Sequence, residues 1–309
     1  MSAHGLPAFD AGRCLGCGLC LTVCPSRVIA MEDGRASVRG DGCIGCGHCE
    51  AVCPEGAVTI PRPGGWDEAF ATFQSGSSWM APGEGDPGEL VRLMRSRRSV
   101  RRYEDAPLSP ALLEDLVRIG VTAPSGTNSQ KWTFTILPDR EAVLNLGREV
   151  ADFFRGINKL AEKPLVRVFL GLMGNKALAE YYREHYQSVR EALRVFDERG
   201  EDRLFHGAPA VIVIGSSPGA SCPAEDALLA AQNILLAAHA LGFGTCLIGY
   251  AVEAMRHDKG IARRIGIPKG EAVHAVIALG RPLERYARTA RREKPMLRFF
   301  NPEPGKRSG

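Results

Sequence analysis

The chemistry of this chain is concentrated in its cysteines. Cys14, Cys17, Cys20 and Cys24-Pro25 recur as Cys43, Cys46, Cys49 and Cys53-Pro54. Each cysteine is offset by 29 residues from its counterpart, and Gly16/Gly45, Gly18/Gly47 and Val23/Val52 keep the same offset. Zinc sites favour two well-separated C-x-x-C pairs rather than triplets. A disulfide framework needs an oxidising compartment. The start, MSAHGLPAFD, is interrupted by His4, Gly5, Pro7 and Asp10, so no apolar export segment is expected. Two-residue spacers let three thiolates converge on one face of an iron–sulfur cubane, each binding a different iron. The glycines keep side chains away from the inorganic sulfurs, and the prolines end each turn. His48, inside the second run, reads as a solvated tip or as a residue that tunes potential.

Residues 8–62 therefore resemble a bacterial-type two-cluster ferredoxin. In that arrangement the fourth cysteine of each run serves the other cluster. The resemblance implies one 4Fe–4S cluster on Cys14, Cys17, Cys20 and Cys53, and a second on Cys43, Cys46, Cys49 and Cys24. The tracts SRVIAMEDGRASV and EGAVTI look like strands and turns that close each half.

Three stretches further on have residue types suited to a ligand. RSRRSVRRY (95–103) places five arginines and two serines at the end of a helix. Arginine suits bidentate phosphate contacts, but a solvated basic face or a weak nucleic-acid patch would read the same way. APSGTNSQKWTF (123–134) is a turn of small polar residues before a strand. It suits close approach to a flat polar ring, or is an ordinary connection. LGFGTCLIGY (241–250) runs a glycine-rich turn into an apolar strand ending at Gly249, where a ligand can lie against the backbone or the chain simply turns.

In their order and spacing these stretches resemble the FMN-dependent nitroreductase family, over residues 89–300. The matching pieces are Arg97-Arg98-Ser99-Val100-Arg101-Arg102-Tyr103, then Ala123 to Phe134 with Lys131 where the family has proline. Leu241 to Gly249, Gly266-Ile267-Pro268 to Gly280, and the late pair Arg291-Arg292 follow. The resemblance implies a homodimer with FMN at the subunit interface. Arg97, Arg98, Ser99 and Arg101 would hold the phosphate and ribityl chain and approach the pyrimidine edge. Pro124, Ser125, Gly126 and Asn128 would come from the partner subunit. Gly249 would offer backbone contact near N5, and Arg291 and Arg292 further cations to the phosphate. Positive charge near N1 favours the anionic reduced flavin.

The elements that must position these residues follow from hydrophobic periodicity. Residues 1–62 form the cluster module, 63–88 a linker, and 89–309 the larger domain. GELVRLMRSR reads as a helix with Leu90, Val91 and Met94 on one face. Ser109-Pro110 starts another, with Leu112, Leu113, Leu116, Val117 and Ile119 apolar. WTFTIL (132–137), VIVIGS (211–216), GTCLIG (244–249) and AVHAVIALG (272–280) read as strands, and 223–241 as a buried helix. VIVIGS, apolar and β-branched, belongs at the centre of a sheet. The expected class is α+β: a small ferredoxin-like module, then a nitroreductase-like three-layer fold with an antiparallel or mixed sheet covered by helices. The linker, rich in Gly, Pro and Ser, carries Trp66, Phe70, Phe73 and Trp79. They either pin the module to the larger domain or form a short helix from Asp67 to Phe73. Residues 150–207 read as long, helical and aromatic, with Tyr181, Tyr182, His185 and Tyr186 as substrate contacts or as a plain surface. Cys222 and Cys246 read as small buried hydrophobes.

The chain has 309 residues, 45% hydrophobic and 24% charged, and a net charge of +4. The cluster module is slightly acidic and the larger part carries the positive surplus, where an anionic ligand would be welcome. No run has the length of a membrane span. The expectation is a cytoplasmic iron–sulfur flavoprotein oxidoreductase with no nucleic-acid or membrane partner. Electrons would pass from an external donor, reduced ferredoxin or NAD(P)H, through the clusters to FMN. They would then reduce a small organic acceptor such as a nitro compound or quinone. No G-x-G-x-x-G follows a strand, but the family binds nicotinamide without it. The alternative is an electron-transfer or redox-sensing protein with a closed flavin site, and an open aromatic cavity would separate the two.

Overall fold

A computed structural model describes residues 5–61, 69–76 and 78–300. Trp66 and Asp67 lie outside the described residues. In the module, β1 (Ala8–Phe9) pairs antiparallel with β4 (Val58–Thr59), so the first and last strands close it. Between them β2 (Ile29–Glu32) and β3 (Arg35–Val38) form a hairpin. Its turn is Asp33-Gly34, both with positive φ, as a tight two-residue connection requires. The internal repeat becomes a repeated turn. Helix α1 (Leu19–Thr22) starts after Gly18 at φ 74°, and α2 (His48–Val52) after Gly47 at φ 76°. Gly16 also has φ 68°, and a Cβ there would stand 2.2 Å from the Gly34 carbonyl oxygen, so only glycine fits.

The linker is held by a buried carboxylate. Asp115 lies on α4 (Pro110–Gly120) and is 1% exposed. It accepts from the Ala71 N–H at 3.1 Å, the Thr72 N–H at 2.7 Å and the Thr72 hydroxyl at 2.6 Å. The Arg118 guanidinium donates to the Ala69 carbonyl. Phe70 stacks on Phe73 with centroids 4.5 Å apart. Residues 71–73 form bends, and no helix spans 69–73, because Asp115 takes the Ala71 and Thr72 N–H groups.

In the larger domain α3 (Pro87–Ser96) is capped by Asp86, which accepts from the Gly88 and Glu89 N–H groups. α4 is capped by Ser109, which accepts from Leu112 N–H. Four strands form one antiparallel sheet in the order β5 (Trp132–Leu137), β6 (Ala210–Ser216), β8 (Ala272–Gly280), β7 (Gly244–Leu247). Every residue of β6 is buried, and its side chains alternate between two cores. Ile212 and Ile214 pack with Leu112, Leu116 and the long helix α9 (Pro223–Ala240). Val211 and Val213 pack with Val143, Val150 and Phe154 of α5 (Arg140–Ala161) and with Met255 of α10 (Gly249–His257). This is the three-layer arrangement, helices on both faces of a sheet. Each β6 Val or Ile buried this way is worth about 1.5–3 kcal/mol.

Leu90, Val91 and Met94 do share a side of α3, but all three are exposed. Residues 150–207 are a chain of helices: the end of α5, then α6 (Pro164–Leu172), α7 (Ala177–Glu184) and α8 (Tyr186–Arg199). The breaks follow Pro164, which starts α6, and Gly174 at φ 85° before α7. Among the described residues no helix is long and apolar enough to cross a membrane.

Candidate functional site

The eight cysteines of the repeat fall into two groups in space. Cys14, Cys17, Cys20 and Cys53 line one small cavity, and Cys24, Cys43, Cys46 and Cys49 line another. Helix packing accounts for the exchange. α1 and α2 pack together in one apolar cluster that holds Cys20, Cys43 and Cys49, so each last cysteine is carried toward the opposite triplet. Backbone N–H groups point at sulfur: Gly45 to Cys43 at 3.4 Å and Ala57 to Cys53 at 3.2 Å. Backbone N–H groups of Ala36 and Gly16 hold the Cys14 thiol below its ordinary value, while burial pushes Cys20 and Cys49 up. Among the described residues no three Cys, His, Asp or Glu side chains converge on a single metal ion. A cubane is larger than one ion and spreads its four thiolates over four irons. His48 is exposed.

The arginine segment runs along the β7 edge of the sheet. Ser99 bridges Thr245 in parallel, and Val100 N–H donates to the Thr245 carbonyl at 2.9 Å. Buried Tyr103 fixes its end, donating to the Val100 carbonyl at 2.8 Å. Burial, and then the neighbouring charges of Arg292 and Arg98, push the Arg97 guanidinium down. Three cations therefore converge, although the first and last, Arg97 and Arg292, are 195 positions apart in sequence. Arg291 sits exposed in the irregular tail after Tyr286. The Thr245 hydroxyl is buried, with no hydrogen-bond partner among the described residues. The Cys246 thiol is pushed up by burial, with Arg101, Ser99 and Arg97 acting against that.

Beside this edge lies an open cavity of about 740 Å³. Arg101, Cys246 and Gly249 form one wall, and Tyr181, His185 and Tyr250 the other. A Cβ at Gly249 would meet nothing within 4 Å, so its backbone faces open space. A second cavity of about 560 Å³, mostly apolar, shares Phe154, Leu204, His206 and Tyr250 with the first. The shared wall is held by Asp202. Its carboxylate accepts from Arg140 at 2.8 Å and from the N–H groups of Leu204 and Phe205 at 3.0 and 2.8 Å. His206, at φ 58° on that turn, is pushed down by burial and by Arg101, against Asp202. The Tyr181 hydroxyl donates to Asn158 at 2.7 Å, and the Tyr250 hydroxyl meets His185 Nδ1 at 3.3 Å.

Several sequence-selected residues lie elsewhere. Tyr186 is buried and donates to Glu162 at 2.7 Å, and Tyr182 lies beneath the Arg167 guanidinium. Neither lines the cavity, because one helical turn offers only one face to it and Tyr181 and His185 occupy that face. Cys222 is exposed rather than buried: it precedes Pro223 at the start of α9, outside the core. Cys246 is buried, as expected. Conversely, Phe154, His206 and Asp202 stand in or behind the cavity although no motif marks them, and Tyr250 reaches it from the last position of the LGFGTCLIGY stretch.

Pro124, Ser125, Gly126 and Asn128 precede β5, at the far edge of the sheet from β7. Three strand spacings, about 14 Å, separate those edges, and none of the four lines the Arg101–Gly249 cavity. Their turn is fixed by Asp226 of α9, 4% exposed, which accepts from Gly126 N–H at 2.9 Å. Lys131, in place of proline, donates to the Pro218 carbonyl at 2.9 Å and ties the turn to the next loop. Thr127, Asn128 and Gln130 all have φ near 50°, a concentration of left-handed backbone that only a well-held turn sustains. The Asn128 amide donates to the Ile44 and Gly45 carbonyls at 3.1 and 3.0 Å, inside the second cysteine run. The Asn128 carbonyl accepts from the Gln130 amide at 2.9 Å.

Comparison with known proteins finds two families in the chain. Residues 94–281 match the Nitroreductase family, and residues 6–54 match a 4Fe-4S dicluster domain. An NADH dehydrogenase of Thermus thermophilus is 26% identical over 189 residues, covering 61% of this chain and 84% of that protein. An NADPH-dependent oxidoreductase of Staphylococcus aureus is 26% identical over 213 residues, covering 69% and 72%. Among solved structures, a nitroreductase of Desulfitobacterium hafniense with bound FMN superposes with a TM-score of 0.50 at 23% identity. That match covers 69% of this chain and 98% of the other, and shows the shared fold.

Proposed function

Because this chain belongs to the nitroreductase family and carries a 4Fe-4S dicluster domain at its start, we propose that it is an FMN-dependent oxidoreductase that draws electrons through two 4Fe–4S clusters to reduce a small organic acceptor. The observation that carries the enzyme reading is the open, aromatic-walled cavity beside Arg101 and Gly249. A carrier with no dedicated substrate would pack that space.

The residues present fit the groups the reading needs. Cys14, Cys17, Cys20 and Cys53 would hold one cluster, and Cys24, Cys43, Cys46 and Cys49 the other. The guanidinium groups of Arg292 and Arg98 repel that of Arg97, no carboxylate among the described residues offsets them, and a phosphate would supply two negative charges. Ser99 and the orphaned Thr245 hydroxyl offer further donors beside them. Gly249 leaves room for a flat ring against its backbone, and Arg101 faces the same space. Bound there, FMN would supply the conversion between one-electron delivery and two-electron reduction. Tyr181, Tyr250 and His185 flank the space above it, and the apolar chamber behind Phe154 would accept the body of an acceptor such as a nitroaromatic or quinone. Burial lowers the pKa of His206 and so favours its neutral imidazole, whose one N–H can donate to an oxygen of the acceptor.

Exposed apolar side chains support a homodimer. Leu90, Val91 and Met94 of α3 and Leu228 and Leu229 of α9 stand in solvent on helices that pack on each other. A second copy would cover them and bring its own residues 124–128 to the cavity. Residues 1–62 are the cluster module, 63–88 the linker and 89–309 the flavin domain in this reading. The test is anaerobic purification with iron, sulfide and flavin analysis, followed by a donor and acceptor screen. About eight iron atoms and one FMN per chain are expected. A well-folded preparation without isoalloxazine absorbance would overturn the proposal.

A further inference from the structure

Asn128 joins two parts of the molecule that the sequence keeps 80 residues apart. Both of its amide hydrogens are directed at the cluster module, to Ile44 and Gly45, between Cys43 and Cys46. The turn that carries it is rigid, tied by Gly126 N–H to buried Asp226 and by Ser125 Oγ to Gln130 N–H at 3.0 Å. The Cys43–Cys49 half of the module is therefore the half that rests on the larger domain. The other quartet includes Cys17, which is exposed. The same turn cannot reach the Arg101–Gly249 cavity of its own chain, since it leaves the opposite edge of the sheet. A turn that touches a flavin in a dimer does so on the partner.

From this juxtaposition we propose that each module serves the flavin of the other subunit, with the Cys24/Cys43/Cys46/Cys49 cluster next to that flavin and the Cys14/Cys17/Cys20/Cys53 cluster facing the external donor. Asn128 is the positioning residue that clamps the inner cluster loop to the turn meeting the partner's flavin. The electron balance is simple. An external one-electron donor reduces the outer cluster, the electron passes to the inner one, and two such passages with one proton taken up reduce one flavin by two electrons. The inference rests on the flavin-and-cluster reading above and on a dimer that shares each flavin site.

Differently tagged chains allow defined heterodimers to be purified. In the first, one chain lacks its clusters (Cys43→Ser with Cys14→Ser) and keeps its arginines. The other keeps its clusters and carries Arg97→Gln with Arg101→Gln. In the second, one chain is wild type and the other carries all four changes. Each heterodimer should hold one FMN per dimer, measured by flavin extraction. With dithionite as donor in stopped flow, the first should keep the fast phase of flavin bleaching and the second should lose it. The reverse pattern overturns cross-subunit delivery and leaves the flavoenzyme reading standing. A monomer in light scattering, or two flavins per heterodimer, overturns the flavin-site reading itself. A second readout is independent of turnover. Asn128→Ala removes two hydrogen bonds, so amide exchange in residues 43–46 should rise on the order of tenfold. Asn128→Asp, which keeps the shape but loses both donors, should match it. Weaker FMN binding with unchanged exchange would instead make Asn128 a flavin contact and overturn its clamping role.

Discussion

Arg97→Gln should change stability in opposite directions with and without FMN. Arg97 is half-buried and sits against the positive charges of Arg292 and Arg98. Without flavin, removing one of three crowded cations relieves repulsion. The gain is small, about 0.2–1 kcal/mol on the scale of a screened charge pair. With flavin, the same change removes charge-assisted hydrogen bonds to phosphate worth about 1.5–3 kcal/mol, or roughly 10- to 150-fold in Kd. At FMN held at 100 times the wild-type Kd, ligand binding stabilises the native state by about 2.7 kcal/mol. In the variant the same concentration should supply only about 0.3–1.4 kcal/mol. Thermal unfolding of the variant and the wild type, each with and without FMN, reads both effects in one experiment. A flavin-free variant less stable than wild type, together with an undiminished FMN-induced rise in Tm, would refute the placing of phosphate at Arg97.

Three further outcomes follow from other parts of the fold. Cys53→Ser should abolish the cluster shared with Cys14, Cys17 and Cys20 and spare the other, so that electron paramagnetic resonance resembles Cys14→Ser and not Cys49→Ser; likeness to Cys49→Ser would break the crossed assignment. Asp115→Asn keeps the shape but exchanges an acceptor-only group for one with donors opposite three donors, so limited proteolysis within residues 69–76 should accelerate while FMN affinity holds; an unchanged cleavage rate would refute the clasp. Burial holds His206, His239 and His274 below their ordinary pKa. The unfolded chain then binds protons first as pH falls, so stability present above about 6.5 should be lost progressively below it; denaturant unfolding at several pH values would show a flat profile if the three were not held neutral.

What could be read from the sequence was what is local. The cysteine runs declare themselves because three thiolates on one cubane must be close in the chain. WTFTIL and AVHAVIALG are strands to the residue because β-branched and apolar side chains repeat with the period of a pleated sheet. The Ser109 cap and Pro110 mark the start of α4 for the same local reason. Pairings across the chain leave no such period. Nothing near Asp115 announces that its carboxylate will capture residues 71 and 72, and nothing near Asp226 announces Gly126. His206 and Tyr250 reach the cavity from a turn and a helix start that have no common spacing. Cys222 was misread because cysteine's average preference for the interior says nothing about a residue just before a helix-starting proline. The motif around Asn128 points to the flavin and carries no information about the module that the turn also holds.

The Asp115 clasp at Thr72 also decides how the cluster module meets dilution. Only a dozen residues separate the module's last strand from that anchor, a short leash that sustains a high effective molarity. A module that lets go of the Asn128 turn therefore rebinds as a first-order event, indifferent to how much protein is in the tube. Were the two parts expressed as separate chains, their reunion would become second-order and would fade as the mixture is thinned.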